Sequence, residues 1–81
     1  MKIKIRKSAI KDLRKLDREV QDRLHAKILS LVNFPGVPNM KKLTNFEPAY
    51  RLRVGNYRIL FDVNDKTIEV GRVLHRKDSY Q

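Results

Sequence analysis

The chain has 81 residues, which is enough for one small domain but too few for two hydrophobic cores. Nineteen Lys and Arg residues against nine Asp and Glu residues give a formal net charge of +10. This charge predicts association with polyanions, with nucleic acid as the first candidate and an acidic protein partner or simple solubility as the alternatives.

Several classes of protein are excluded or disfavoured by composition. The absence of cysteine excludes disulfides and thiolate metal sites, and the presence of only two histidines argues against a zinc site. The N-terminal residues lack the apolar run of a signal peptide, and no stretch approaches the roughly 20 apolar residues that span a membrane. We therefore expect a soluble, cytoplasmic protein without a membrane partner.

The first half of the chain is predicted to form one strand and two helices. Charged and apolar residues alternate over residues 2–6, which indicates a half-buried strand. Ser8 and Asp17 are the candidate N-caps of the two helices that follow. Apolar residues then recur every three to four positions, which predicts that the second helix covers residues 18–33.

The second half is predicted to be a loop followed by three strands. Residues 35–48 hold all three prolines, so we expect a loop there, carrying the candidate RNA-binding residues Lys41 and Lys42. Beyond this loop, runs rich in Tyr, Val, Ile and Phe alternate with turn residues and predict strands at 49–54, 57–63 and 67–74. The predicted fold is α+β, in one domain over residues 1–81. Its N-terminal strand and three-stranded antiparallel meander form a four-stranded sheet with helices packed on one face.

A two-residue turn at Gly55-Asn56 would gather arginines on one face of this sheet. In that register Arg53 lies opposite Arg58, and Arg51 shares their face, which we call the arginine face. Because a like-charge pair costs stability when it is empty, a bound anion explains the pair better than folding does. The alternative is an ordinary solvated sheet face, but residues 49–60 contain no acidic residue that would balance the charge. Unbroken alternation in the last strand adds four residues to this face: Glu69, Gly71, Val73 and His75.

Arg72 is ambiguous in this pattern. Strict alternation sends it to the core side, whereas a bulge at Gly71 would turn it back. It is either an edge residue whose aliphatic part packs on the sheet or a functional RNA-binding residue.

The C-terminal residues LHRKDSYQ bring further polar groups to the edge of the arginine face. Cleavage of RNA without a metal needs a base for the ribose 2′-OH, cations for the phosphate charge and an acid for the leaving oxygen. His75, Arg76 and Tyr80 include groups of all three kinds, and Lys77 adds a cation for RNA binding. Singly, a histidine at a strand end or an aromatic residue on a sheet edge is an ordinary structural feature, whereas together on a basic face they favour RNA chemistry.

Two segments, AYRLRVGNYRILFDV and VGRVLHRKDSY, together with the basic first strand and the helical hairpin, resemble the RelE family of bacterial toxins in the RelE/ParE superfamily. The resemblance covers essentially the whole chain. It implies an endoribonuclease that cleaves mRNA in the ribosomal 30S A site and forms a hetero-oligomer with a cognate antitoxin. It implies no metal and no cofactor. The sibling ParE toxins instead inhibit DNA gyrase, and a plain RNA-binding domain is a third possibility.

The resemblance also implies a set of site residues. The best-studied family pattern has lysines where this chain has arginines in its second predicted strand, and a guanidinium holds its proton too tightly to act as a base. Proton transfer is therefore expected from Tyr80 or His75, between which the sequence does not decide. The implied catalytic residues are Arg51, Arg53, Arg58, His75, Arg76 and Tyr80.

Overall fold

The computed structural model describes residues 1–43 and 48–77, which form two α-helices, a short 3₁₀ helix and five strands. Within this part of the chain, no helix is long and apolar enough to cross a membrane. The elements in chain order are β1 (Lys2–Ile5), α1 (Lys7–Arg14), α2 (Arg18–Leu29), the 3₁₀ helix (Ser30–Asn33), β2 (Met40–Lys42), β3 (Tyr50–Val54), β4 (Tyr57–Asn64) and β5 (Thr67–His75).

The helices begin and end differently from the prediction in two places. Arg6 occupies the N-cap position of α1, and Ser8 lies inside the helix, where its hydroxyl donates to the Gly71 carbonyl at 2.6 Å. Asp17 holds the N-cap position of α2 as predicted, although its side chain makes no capping hydrogen bond. The predicted helix over residues 18–33 is divided, because its last turn tightens into the 3₁₀ helix before Pro35.

The five strands form one mixed sheet with the order β1-β5-β4-β3-β2. β1 is parallel to β5, and the other neighbours are antiparallel. The α+β class is confirmed, but the prediction of four strands and of a loop at Lys41 and Lys42 is wrong, because residues 40–42 pair with β3 as an edge strand. Three residues are too short to show an alternating pattern, and the preceding Asn39 turns the chain with a φ of 63°.

The first hairpin has the predicted register. Arg53 lies opposite Arg58 and Arg51 opposite Leu60, across the two-residue turn at Gly55-Asn56. Gly55 has a φ of 58°, a conformation that glycine adopts without steric cost and that type II′ hairpin turns require.

The hydrophobic core lies between the helices and one face of the sheet. α1, α2 and the 3₁₀ helix contribute apolar residues from one side, and an aromatic group of Phe34, Tyr50 and Phe61 extends the core with ring centroids 5.3–6.3 Å apart. The buried residues are Ala9, Leu13, Leu24, Ile28, Leu31, Leu52, Val54, Ile59, Phe61, Ile68, Val70 and Val73.

A β-bulge in β5 reverses the side-chain alternation of its second half. Val70 pairs with Phe61 and Arg72 pairs with Leu60, so Gly71 is an extra residue without a partner on β4. Every side chain after it moves to the opposite face from the one that unbroken alternation assigns. The placement of Val73 and His75 on the arginine face is therefore wrong: Val73 is 4% exposed in the core, and His75 lies opposite Tyr57 on the helix side.

Candidate nucleic-acid interface

The arginine face carries the predicted arginines of β3 and β4 together with one cation from β2. Arg53 and Arg58 lie directly opposite each other, and Lys41 lies opposite Arg51. Because neighbouring strands are about 4.8 Å apart, the row that runs across the sheet through Lys41, Arg51, Leu60 and Arg72 spans roughly 14 Å. Cations spread over this distance suit the backbone of a single nucleic-acid strand.

Arg51 contains a polar atom for which the described part of the chain supplies no hydrogen-bond partner. Its Nε is buried, and no hydrogen bond to it is found in residues 1–43 and 48–77. A buried N–H that makes no hydrogen bond is costly, so such groups in native proteins usually have a ligand, an ion or a water as partner. An anion on the arginine face would satisfy this group and would also relieve the repulsion between Arg53 and Arg58.

The charges on this face are segregated along the strands. Asp62 and Glu69 lie opposite each other on the same face, at the end away from Arg53 and Arg58. Both carboxylates have partners: Asp62 Oδ1 accepts the Ala49 N–H at 2.7 Å, and Glu69 Oε1 lies 3.2 Å from Arg6 Nη1. A polyanion therefore meets an excess of cations only on the half of the face that carries the arginines.

Two leucines lie among these cations. Leu60 is placed between Arg51 and Arg72 in the strand register, and Leu74 lies opposite Arg58. Both leucines are partly exposed. The basic half of the face thus offers apolar surface beside its charges, which suits a ligand that has both phosphates and flat apolar groups.

Arg72 lies at the rim of the face, where it is tied to α1. Its Nε donates to Asp12 Oδ2 at 2.8 Å and its Nη2 to Oδ1 at 3.1 Å, while the Val73 N–H also donates to Oδ2 at 2.9 Å. The bulge at Gly71 turns Arg72 away from the core side and towards the rim, which is the alternative to strict alternation that the sequence left open. The arginine keeps 49% of its side chain exposed, so it can still contact a ligand.

Asp12 is a structural partner that the sequence pattern did not identify. It is the only acidic residue in α1, and the contact joins residues 60 positions apart in the chain. Burial by itself raises the pKa of the Asp12 carboxyl, but the hydrogen bonds from Arg72 and Val73 and the charges of Arg72 and Lys15 outweigh it, so the pKa lies below its usual value of 3.8.

Among the other predicted site residues, His75 lies on the helix side of the sheet. His75 contacts the Tyr57 ring edge-to-face, with centroids 5.2 Å apart, and its Nδ1 accepts the Lys77 N–H at 3.2 Å. Arg76 and Lys77 are exposed in the turn after β5, where the Arg76 N–H donates to the Asn56 carbonyl at 2.6 Å. Two predicted residues remain. Lys42 pairs with Tyr50 and so belongs to the opposite face, and Tyr80 lies outside the described residues.

The arrangement can bind anions and stabilise negative charge. Arginine side chains are cationic and donate several hydrogen bonds in a planar fork that matches phosphate oxygens. They do not readily accept a proton, so a base would have to be a side chain other than these arginines.

A two-helix layer on one face of a five-stranded mixed sheet, with a basic opposite face, defines a small basic α+β protein suited to polyanions. The sequence matches the family described as "ParE toxin of type II toxin-antitoxin system, parDE" over residues 3–80. It is also 37% identical over 84 aligned positions to Toxin RelE3 of Methanocaldococcus jannaschii, across 99% of this chain and 96% of that protein. The chain therefore belongs to the RelE/ParE superfamily of toxins, as the sequence resemblance predicted.

Solved structures show the same fold. The RelB-RelE antitoxin-toxin complex from Methanococcus jannaschii superposes with a TM-score of 0.77 at 35% identity, covering 95% of this chain and 94% of that one. The toxin–antitoxin complex RelBE2 from Mycobacterium tuberculosis gives 0.76 at 25% identity, with 93% and 96% covered. The isolated E. coli RelE toxin gives 0.74 at 23% identity, with 91% and 82% covered, which supports the fold alone.

Proposed function

We propose that this RelE-like toxin is a ribosome-dependent endoribonuclease that cleaves mRNA in the A site. The observation that carries the proposal is the basic half of the arginine face, where Arg53 lies directly opposite Arg58 and the buried Nε of Arg51 makes no hydrogen bond within residues 1–43 and 48–77. These groups are costly for a free protein and favourable for one that binds phosphates. The relatives named RelE support the choice of an mRNA-directed toxin.

The proposed chemistry uses only groups of the RNA and of this chain. A base removes the proton of a ribose 2′-OH, the oxygen attacks the adjacent phosphorus, and the bond to the 5′-oxygen breaks as that oxygen takes a proton from an acid. The products are a 2′,3′-cyclic phosphate and a 5′-hydroxyl. Arg51, Arg53, Arg58 and Arg76 stabilise the added negative charge on the phosphate.

Tyr80 is our preferred residue for proton transfer. His75 remains the alternative, but its side chain lies beside Tyr57 on the helix side of the sheet, away from Arg53 and Arg58. A tyrosine would need the surrounding cations to lower its pKa from its usual value near 10. Replacing Tyr80 with Phe should therefore lower the cleavage rate without weakening RNA binding, whereas Arg53→Ala should weaken binding as well.

The test is cleavage of mRNA on programmed ribosomes, with analysis of the end groups. We expect cuts within the A-site codon that leave a 5′-hydroxyl, and much slower cleavage by the Tyr80→Phe variant. The exposed Lys66→Ala substitution, in the turn before β5, is the matched control and should cleave at the wild-type rate. A 5′-phosphate product, or intact mRNA under these conditions, would contradict the proposal.

We further propose that a cognate antitoxin binds this chain in the cytoplasm. The relatives from two organisms are described as RelB-RelE or RelBE toxin–antitoxin complexes, and a net charge of +10 favours an acidic or amphipathic partner. Expression of the toxin alone should arrest growth, and co-expression of the antitoxin gene should restore it. Growth arrest that persists in the presence of a stable toxin–antitoxin complex would contradict this role.

A second candidate function is inhibition of DNA gyrase without nuclease activity. The observation that favours it is the family match, which carries the ParE description. The two functions separate in one comparison: inhibited supercoiling by purified gyrase with uncut mRNA on ribosomes would select gyrase inhibition, and the reverse result would select the nuclease.

A further inference from the structure

A groove lies beside the C-terminal half of β5. β1 pairs with β5 only as far as Val70, and beyond that point α1 runs along the strand edge. Ser8 and Asp12 satisfy the backbone groups that β1 leaves unpaired there. Next to these contacts lies an open groove of about 510 Å³, lined by Asp12, Lys15, Leu16, Tyr57, Arg72, Val73, Leu74 and His75.

The groove is continuous with the arginine face. Arg72 and Leu74 both line it, and the same two residues lie opposite Leu60 and Arg58 in the sheet register. They are on the arginine-face side of β5 because of the bulge at Gly71. A strand of RNA bound to the arginines would reach the groove by passing around the edge of β5.

The groove contains ring surfaces beside cations. Tyr57 and His75 meet edge-to-face at 88°, which leaves ring surface for a third flat group. Nucleobases stack on such side chains, and grooves of roughly 300–1,000 Å³ are large enough for a small-molecule-sized group. The base would lie beside Leu16, which adds apolar surface.

The charges of the groove fit one nucleotide better than an acidic peptide. Lys15 and Arg72 contribute two positive charges and Asp12 one negative charge, so the described lining has a net charge of +1. The Asp12 carboxylate already accepts hydrogen bonds from Arg72 and from the Val73 N–H, and these bonds fix the position of the Arg72 side chain. An acidic segment would gain more from the arginines on the sheet face, whereas a base with a single flanking phosphate matches this lining.

From these observations we infer that the groove is a subsite for one nucleobase of a single-stranded RNA whose neighbouring phosphates bind the arginine face. One of the two rings, that of Tyr57 or that of His75, stacks on the base while the other contacts its edge, and Lys15 with Arg72 contacts its phosphate. The inference rests on the proposed RNA-directed function and adds to it a base-binding position outside the sheet face.

The experiment measures binding of a short labelled single-stranded RNA by fluorescence anisotropy, with a series of RNAs that each carry one abasic nucleotide at a different position. For the wild-type protein we expect one position at which loss of the base weakens binding about fivefold to a hundredfold, the range for one stacked base. The Tyr57→Leu variant should bind the intact RNA more weakly by the same factor. Removing the base at that position should then weaken its binding no further.

Further variants keep the inference testable. If Tyr57→Leu does not fold by circular dichroism, His75→Leu takes its place. Lys15→Ala should weaken binding and reduce the salt dependence by about one phosphate contact, whereas the exposed Lys66→Ala control should change neither.

The outcomes separate this inference from the proposed function. If Arg53→Ala weakens RNA binding but the ring variants respond to every abasic position as the wild type does, the groove is not a base subsite and the RNA site on the arginine face stands. If Arg53→Ala also has no effect, the proposed function fails. Groove variants that weaken binding of the cognate antitoxin and leave RNA binding unchanged would overturn the inference in favour of a protein interface.

Discussion

Replacing Asp12 with alanine is expected to lower the free energy of unfolding by about 2 kcal/mol. The substitution removes two hydrogen bonds from Arg72 and one from the Val73 N–H. Because Arg72 is half exposed, water replaces its partner and the loss of that ion pair costs only about 0–1 kcal/mol. The backbone N–H of Val73 is part-buried at the strand edge, and leaving it unpaired costs a further 1–3 kcal/mol, roughly.

Urea denaturation followed by circular dichroism measures this effect. For a domain of this size, about 2 kcal/mol corresponds to a fall in melting temperature of about 8–16 °C. The Asp12→Asn variant keeps an oxygen that accepts the Val73 N–H and should lose about half as much. Asp22→Ala is the matched control, since Asp22 is exposed and lies 3.9 Å from Arg18, and it should change stability by less than about 0.5 kcal/mol.

The effect should also depend on pH. Because the folded state lowers the pKa of Asp12 below 3.8, the unfolded chain binds more protons in that range and stability rises with pH. The contribution of Asp12 is present above the unfolded value of 3.8 and is lost as pH falls through the folded value. The difference between wild type and Asp12→Ala should therefore shrink below about pH 3.8. An unchanged difference at low pH, or a loss no larger than that of Asp22→Ala, would refute the assigned role.

Three further predictions concern the sheet and its core. Arg53→Thr should stabilise the free protein by about 0.5 kcal/mol in urea denaturation, because it removes the like-charge pair with Arg58, while it weakens RNA binding; lower stability would contradict this account. Phe61→Ala should lower the free energy of unfolding by about 3–5 kcal/mol, because the ring is fully buried. Phe61→Leu should lower it much less, and thermal melts of the two variants measure the difference. Gly55→Ala should lower the free energy of unfolding by about 1 kcal/mol, because Gly55 has a φ of 58° that alanine adopts only with strain. Gly71→Ala should lower it by less than about 0.5 kcal/mol, because an added Cβ would meet its nearest neighbour, the Leu60 carbonyl oxygen, at 3.8 Å. Equal losses for the two glycines would show that the turn conformation does not set the cost.

The first hairpin was predictable because all the information that determines it is local. A glycine-containing two-residue turn fixes the register, and the alternation of apolar and charged residues over 50–61 fixes the faces. The position of the arginine face followed from these two facts, without knowledge of the helices. The resemblance to the RelE family, within the RelE/ParE superfamily, is confirmed by the family match and by the similarity to Toxin RelE3.

The parts that the sequence did not predict depend on contacts between distant residues. β2 is a strand because it pairs with β3, and its three residues have no pattern of their own. The Asp12–Arg72 contact joins α1 to β5. From the sequence alone, a single carboxylate in a basic helix is explained equally well as a group that balances the charge of its neighbours in the helix. His75 was placed on the wrong face because a glycine in a strand permits a bulge but does not require one.

The bulge at Gly71 has a consequence for transferring residue roles between relatives. Two homologous toxins whose β5 strands differ by this one residue would align well in sequence, yet beyond residue 71 the aligned side chains would lie on opposite sides of the sheet. In this chain the residues concerned include Arg72, Leu74 and His75, which are among the candidates for binding RNA or contributing to its cleavage. Functional assignments in this segment are therefore matched between family members only after the bulge itself has been matched.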